Sequence, residues 1–178
     1  MSSLSVHHPS SPLLPNKVLN HDEDIASTLA AVGIEYRSLE LDGKLQPGVA
    51  ADEVLASHAA LLESLKQQYD LSQAEVISLD RNPWGEDEPA AAVLQEQVLD
   101  GAQLYLFLSG QAQLNLHIGE QVYGLLGERG ALLAVPTGVP YWLDLGEPAR
   151  CLLVRLAGAG TSRATGDEIA SRFVRLGE

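Results

Sequence analysis

The feature that most constrains this chain is a series of short apolar segments, each closed by a turn that carries glycine. From Glu75 onward it reads VISL, VLQEQVL, QLYLFL, AQLNLHI, QVYGLL, ALLAVP, YWLDL and CLLVRL. The separators are Asp100-Gly101, Ser109-Gly110, Gly119-Glu120, Glu128-Arg129-Gly130, Gly138 and Gly146-Glu147-Pro148, with an acidic Pro/Gly loop, NPWGEDEP, at 82–89. Strands that recur at roughly 8–12 residue intervals with such turns predict an antiparallel sandwich or barrel.

The flanks read differently. Residues 1–20 are rich in Ser, Pro and Asn and read as an extended arm crossing a surface. Its adjacent His7 and His8 point to opposite sides of an extended segment, a poor chelating geometry, and both are expected to face solvent. Asp22 to Val32 reads as a short helix with Ile25, Leu29 and Val32 on one face and Gly33 as its stop. IEYRSLEL (34–41) alternates as a strand does. The clearest helix covers 51–69, where Val54, Leu55, His58, Leu61, Leu62, Leu65 and Tyr69 form one stripe. His58 is expected at the edge of that core, since no acidic or cysteine residue shares its face. Thr165-Gly166-Asp167-Glu168 is a T-x-x-E capping box ahead of a terminal helix. The boundaries that follow are 1–20 for the arm, 21–74 for a helical subdomain, 75–160 for the β-domain and 161–178 for the terminal helix and tail.

With 178 residues the length prior favours one domain. Acidic groups outnumber basic ones 24 to 11, and the net charge of −13 repels phosphate backbones and anionic lipid. Nucleic acid and membrane surfaces are therefore poor partners. No apolar run approaches the roughly 20 residues that cross a bilayer, and the N-terminus lacks the basic and apolar parts of a secretory signal. One cysteine, Cys151, permits no internal disulfide; at the head of an apolar strand it reads as a buried thiol. The expectation is a cytoplasmic protein, monomer or homodimer, with a small molecule as its partner. No G-x-S-x-G, P-loop or dinucleotide-binding glycine pattern is present.

Particular words in the β-domain carry more. VISL (76–79), LHIG (116–119), VP followed by YWLDLG (135–136 and 141–146) and TGDEIAS (165–171) resemble the acireductone dioxygenases, cupin enzymes of methionine salvage. The resemblance runs from about residue 20 to the end. It implies a mainly β, cupin-type antiparallel barrel (a double-stranded β-helix) with N-terminal helices and a short C-terminal helix.

That family holds Fe or Ni with an H-x-H-x-x-x-E set and a later histidine after the VP turn. The resemblance carries those four positions onto Gln97, Leu99, Gln103 and Tyr141, none a ligand of the required type. Glu96 is no substitute if it points away from the face used by 97 and 99, and Asp100 reads as the residue that forms the D-G turn. Tyr105 stands where the family has an arginine, and Leu106 and Leu143 where it has aromatic pocket residues. Arg155 matches a family arginine; it either grips an anionic ligand group or pairs with an acid such as Asp144 or Glu147. His117, on the polar side of LNLHIG, reads as a solvent-facing hairpin residue.

On this reading the chain is a cupin without metal or other cofactor. It binds or transforms a small metabolite in a pocket lined by Gln97, Leu99, Gln103, Tyr105, Tyr141 and Arg155, with Tyr141 and Tyr105 as candidate catalytic groups. Two alternatives stay open: a non-catalytic interaction or sensor protein, and a metal-dependent dioxygenase with an unusual ligand set. Whether the chain is an enzyme is left undecided by its residues alone.

Overall fold

In a computed structural model, described over residues 2–81, 95–146, 149–158 and 160–173, the chain forms two antiparallel sheets faced by helices. The first, sheet A, is built from β1 (Ser3–His7), β2 (Lys17–Leu19), β5 (Gln97–Leu99), β7 (Ala112–Ile118), β8 (Gln121–Gly127), β10 (Tyr141–Asp144) and β12 (Ser162–Ala164). Its order is β12-β5-β10-β7-β8-β1-β2. Sheet B takes β3 (Glu35–Ser38), β4 (Gln73–Arg81), β6 (Gln103–Gly110), β9 (Ala131–Val135) and β11 (Ala149–Ala157) in the order β3-β9-β6-β11-β4.

The expected mainly β, cupin-type architecture is present. The sheets face each other as two layers, and among the described residues no ladder joins them into the closed ring that the sequence predicted. The NPWGEDEP loop lies outside the described residues.

The two sheets bury their faces differently, and the sequence explains why. β6 reads QLYLFLSG and is buried at its first six positions, so side chains of both parities leave water. Tyr105 and Phe107 point between the sheets with Leu114, Leu116, Leu125, Leu133 and Leu153. Leu104, Leu106 and Leu108 point the other way, onto Val54, Leu62 and Leu65 of the helices. A strand covered on both faces reads as a continuous apolar run. Leu106 therefore belongs to the helix-facing layer and not to an interior pocket. α1 (Asp22–Ala30) inserts Ile25 and Leu29 into the inter-sheet core.

The single helix expected over 51–69 is two, α2 (Ala51–Ser57) and α3 (Ala59–Tyr69). The break is at His58, whose backbone (φ −118°, ψ 22°) leaves the helical region, while its Nδ1 is buried without a hydrogen-bond partner. The apolar residues of the stripe do pack together, and the helix differs from the expectation only in its break. The N-terminal arm is also more structured than expected. β1 pairs with β8 from Ser3↔Leu126 to His7↔Val122, and β2 folds back on β1. Gly110 shows how tightly the turns are made. At φ +65° it lies where an added Cβ would sit 2.1 Å from the Arg150 carbonyl oxygen, so only glycine fits.

Among the described residues no helix is long and apolar enough to cross a membrane.

Candidate functional site

Sheet A presents one face to the core and the other to the C-terminal segment, and strand parity decides which residue goes where. Along β7, Leu114 and Leu116 point inward, while Gln113, Asn115 and His117 point out. Along β10, Tyr141 and Leu143 point inward, and Trp142 and Asp144 point out. Residues 164–173 cross this outer face. Ile169 and Phe173 pack on Trp142 and Val122, with the Phe173 ring 5.5 Å from that of Trp142. Between sheet and segment lies a cavity of about 790 Å³, lined by residues that include Glu96, Gln113, Asn115, Asp144 and Asp167. Its floor has room because residue 124 is glycine. A Cβ there would come within 2.7 Å of Gln113 Nε2 and 2.8 Å of Asn115 Oδ1, the two amides that bond to each other at 3.0 Å.

At one end of this cavity three side chains converge. Glu96, 3% exposed, lies just before β5 and meets His117 Nδ1 through its Oε2 at 2.9 Å. Its Oε1 accepts the Thr165 hydroxyl at 2.8 Å. Thr165 Oγ1 in turn accepts the Asp167 backbone N–H at 3.2 Å, and Asp167 Oδ1 accepts the Ile169 N–H at 3.0 Å. Glu96, His117 and Asp167 each bring one ligand atom to within 4.8 Å of the others. Imidazole and carboxylate are ligand types suited to divalent first-row metals, so this group could hold a metal ion.

The side chains expected to line a pocket lie elsewhere. Gln103, Tyr105 and Tyr141, each 3% exposed or less, stand between the sheets. There Gln103 Oε1 accepts the Tyr105 hydroxyl at 3.1 Å and Arg155 Nε at 2.7 Å, and the rings of Tyr105 and Tyr141 meet edge-on at 6.4 Å. Burial, reinforced by Tyr141 and opposed by Arg155, pushes the Tyr105 phenol well above its usual pKa. Leu99 is packed in the same core. Gln97 is turned to Ser162, whose hydroxyl it accepts at 2.5 Å. Arg155 pairs at 3.4 Å with the exposed Glu75, not with Asp144; Glu147 lies outside the described residues. Tyr105, Gln103, Tyr141 and Arg155 are thus neighbours, while Gln97 engages another residue and Leu99 is core. None of the six lines the cavity between sheet A and the C-terminal segment.

No family model matches the chain. Whole proteins do. It is 37% identical over 179 residues to the acireductone dioxygenase of Pseudomonas fluorescens (strain Pf0-1), covering 99% of both chains. To that of Pseudomonas aeruginosa (strain UCBPP-PA14) it is 39% identical with the same coverage. The chain belongs to the acireductone dioxygenase family. Among solved structures it superposes on an acireductone dioxygenase from Bacillus anthracis with a cadmium ion in its active centre. The TM-score is 0.74 at 15% identity, over 89% of this chain and 94% of that one. This likeness carries the cupin fold.

The metal-free reading therefore falls. Relatives covering the whole chain are named acireductone dioxygenases, and Glu96, His117 and Asp167 could hold a metal. The four positions that the resemblance implies do not include Glu96, which is expected to point away from 97 and 99. It does point away, and the outer face is where His117 and Asp167 stand. His117 is on the polar side as expected but is not solvent-facing, since its side chain is 21% exposed and bonded to Glu96.

The expected capping box does not form. Among the described residues the terminal helix is a 3-10 stretch, Ile169–Arg172, with no side-chain cap bond from Glu168. Thr165 spends its hydroxyl on Glu96, and Asp167 takes the Ile169 amide. What could not be read is the contact across 69 residues that joins Thr165 to Glu96.

Cys151 is a fully buried thiol, raised by burial to about 12. His7 is not free in solvent, for its ring meets Phe173 edge-on at 5.2 Å.

Proposed function

We propose that this chain is a metal-dependent dioxygenase acting on a small molecule of the acireductone type named for its relatives. The end-to-end relationship carries the reading, and the chemistry of the outer-face cluster supports it. The inter-sheet group fits a dication poorly. Leu99 has no donor, the Gln103 carbonyl already accepts two hydrogen bonds, and the guanidinium of Arg155 brings positive charge to the same place. Glu96, His117 and Asp167 fit it well, with anionic oxygen and imidazole donors at the end of a cavity wide enough for a metabolite.

A divalent transition ion, when bound, supplies open coordination positions where substrate and dioxygen can meet. The protein's own part is positioning. Asn115 and Gln113 offer amide donors and acceptors along the floor to orient hydroxyl and carbonyl groups. Trp142 and Phe173 form the apolar side of the cavity, with Ile169 packed behind them. Among the described residues no lysine or arginine lines the cavity, which suits an uncharged or weakly anionic substrate held by hydrogen bonds. The acidic surface is consistent with a cytoplasmic enzyme that does not engage nucleic acid.

The test is oxygen consumption by the purified full-length protein, loaded in turn with Fe(II) and Ni(II) and offered an acireductone. Metal-dependent uptake that stops on adding chelator is expected; no uptake with either metal overturns the proposal.

A further inference from the structure

We propose that the outer edge of β2, with the turn that leads into it, is a self-association surface. Two copies of this chain pair β2 to β2, antiparallel about a two-fold axis, and so join their sheets A. The proposal is independent of the reading given to the cavity, and stands on the exposure, edge position and charge of the N-terminal arm.

Among the described residues the large apolar side chains left exposed are Leu13 (68%), Leu14 (74%) and Val18 (53%). Single exposed apolar residues are ordinary, whereas a strip of them on one short segment marks a contact surface. The strip adjoins an unpaired strand edge. β2 ends sheet A and pairs with β1 alone, so its outer edge presents N–H and C=O groups with no strand to take them. The other end strands are guarded by charges of both signs or by arginine. β3 carries Glu35 and Arg37, β4 Glu75, Asp80 and Arg81, and β12 Arg163.

Charge selects the partner. Residues 1–20 contain no Asp or Glu, in a chain that has 24 of them and a net charge of −13. Two copies repel each other in most orientations, and the arm is where they meet without opposing carboxylates. Its one lysine, Lys17, starts β2, and the exposed acidic turn Asp22, Glu23 and Asp24 follows the strand's end. Antiparallel pairing about Val18 sets Lys17 of one copy opposite Leu19 of the other, next to the other's acidic turn, and does so twice. Parallel pairing sets lysine beside lysine. The strand is thus complementary to itself, as an isologous contact requires. Val18 meets Val18 on one face, and on the other the Lys17 stem covers the half-buried Leu19. A three-residue strand and three apolar side chains per copy make a small interface. It falls below about 1,200 Å², so the dimer is weak, with a Kd on the order of 10–100 µM.

Sedimentation equilibrium of the full-length protein tests this, and a reversible monomer–dimer equilibrium in that range is expected. Leu13→Ser combined with Leu14→Ser should raise the Kd at least about 10-fold. Both side chains are exposed, so the urea midpoint should stay at the parent's value. Lys17→Glu and Glu23→Lys should each weaken self-association at least about 10-fold, because each sets like charges together at both contacts. Mixed one to one, the two variants should associate as the parent does, since the mixed dimer again sets opposite charges together at both contacts. That rescue separates a lost contact from a damaged fold. A chain that stays monomeric up to about 0.5 mM leaves the strip to a different kind of partner and overturns the proposal. A dimer that keeps its affinity in the double serine variant places the contact elsewhere and overturns it too. So does a mixture of the two charge variants that associates no better than either alone.

Discussion

The two faces of sheet A look onto opposite kinds of polar chemistry. Inside, Gln103, Tyr105 and Arg155 of sheet B satisfy one another beside Tyr141 of sheet A, and the one cation among them finds its carboxylate at the exposed Glu75. Outside, Glu96, His117, Thr165 and Asp167 leave carboxylate and imidazole atoms gathered around a common point next to a cavity. A network that uses up its own donors and acceptors makes a core specific; one that leaves anionic donors converging has something to bind. One residue of register separates the two, since Tyr141 faces in and Trp142 faces out.

The contrast is tested first by stability, where the expected difference is largest. Phe107 is fully buried and stacked over the space left by Gly127, where an added Cβ would be 2.6 Å from its ring. Phe107→Ala should cost about 3–5 kcal/mol in chemical denaturation. Phe173→Ala, on the half-covered outer face, should cost clearly less, about 1–2 kcal/mol, because its ring keeps part of its contact with water. Equal losses would mean that the C-terminal segment is as much a part of the core as the space between the sheets.

A smaller effect separates the two polar networks. Gln103→Leu removes the acceptor shared by Tyr105 and Arg155 from a buried polar network, at a cost of about 1–3 kcal/mol. Gln113→Leu, on the cavity floor, leaves Asn115 beside open space that water can enter, and should cost under about 1 kcal/mol. Both are read from urea midpoints. If the Gln103 change is the milder one, the inter-sheet network is not self-contained and the distinction between the faces fails.

The faces were legible in the sequence; what covers each of them was not. Alternation along AQLNLHI and YWLDL places His117 and Asp144 on the polar side, and the continuous apolar run QLYLFL marks a strand buried twice. The helical stripe at 54–69 names the apolar residues that cover sheet B. Side-chain period, however, is a local quantity. It does not say that a segment beginning at Thr165 lies over Glu96, or that the helix stripe breaks at His58. The site was missed for the same reason. Its three ligand candidates sit at 96, 117 and 167, a spacing with no motif, and only the fold brings them together.

The smallest effect concerns the seam where the N-terminal arm meets the C-terminal segment. His7 on β1 packs edge-on against Phe173, and partial burial lowers its pKa below the usual 6.5. The charged imidazole is therefore less welcome in the folded state than in the unfolded chain. Below pH 6.5 the unfolded chain takes up this proton first, so the stabilising contribution of His7 is fully present above that pH and is lost as pH falls through 6.5 toward the lower folded value. His7→Gln removes this titration and should flatten the urea midpoint between about pH 7 and 5 by a small but measurable amount. Because His7 touches the outer segment and not the inter-sheet core, the change should leave the Phe107→Ala penalty intact, while that of Phe173→Ala should shrink. If instead both penalties move together, the seam couples to the core, and the two faces of sheet A are one cooperative unit.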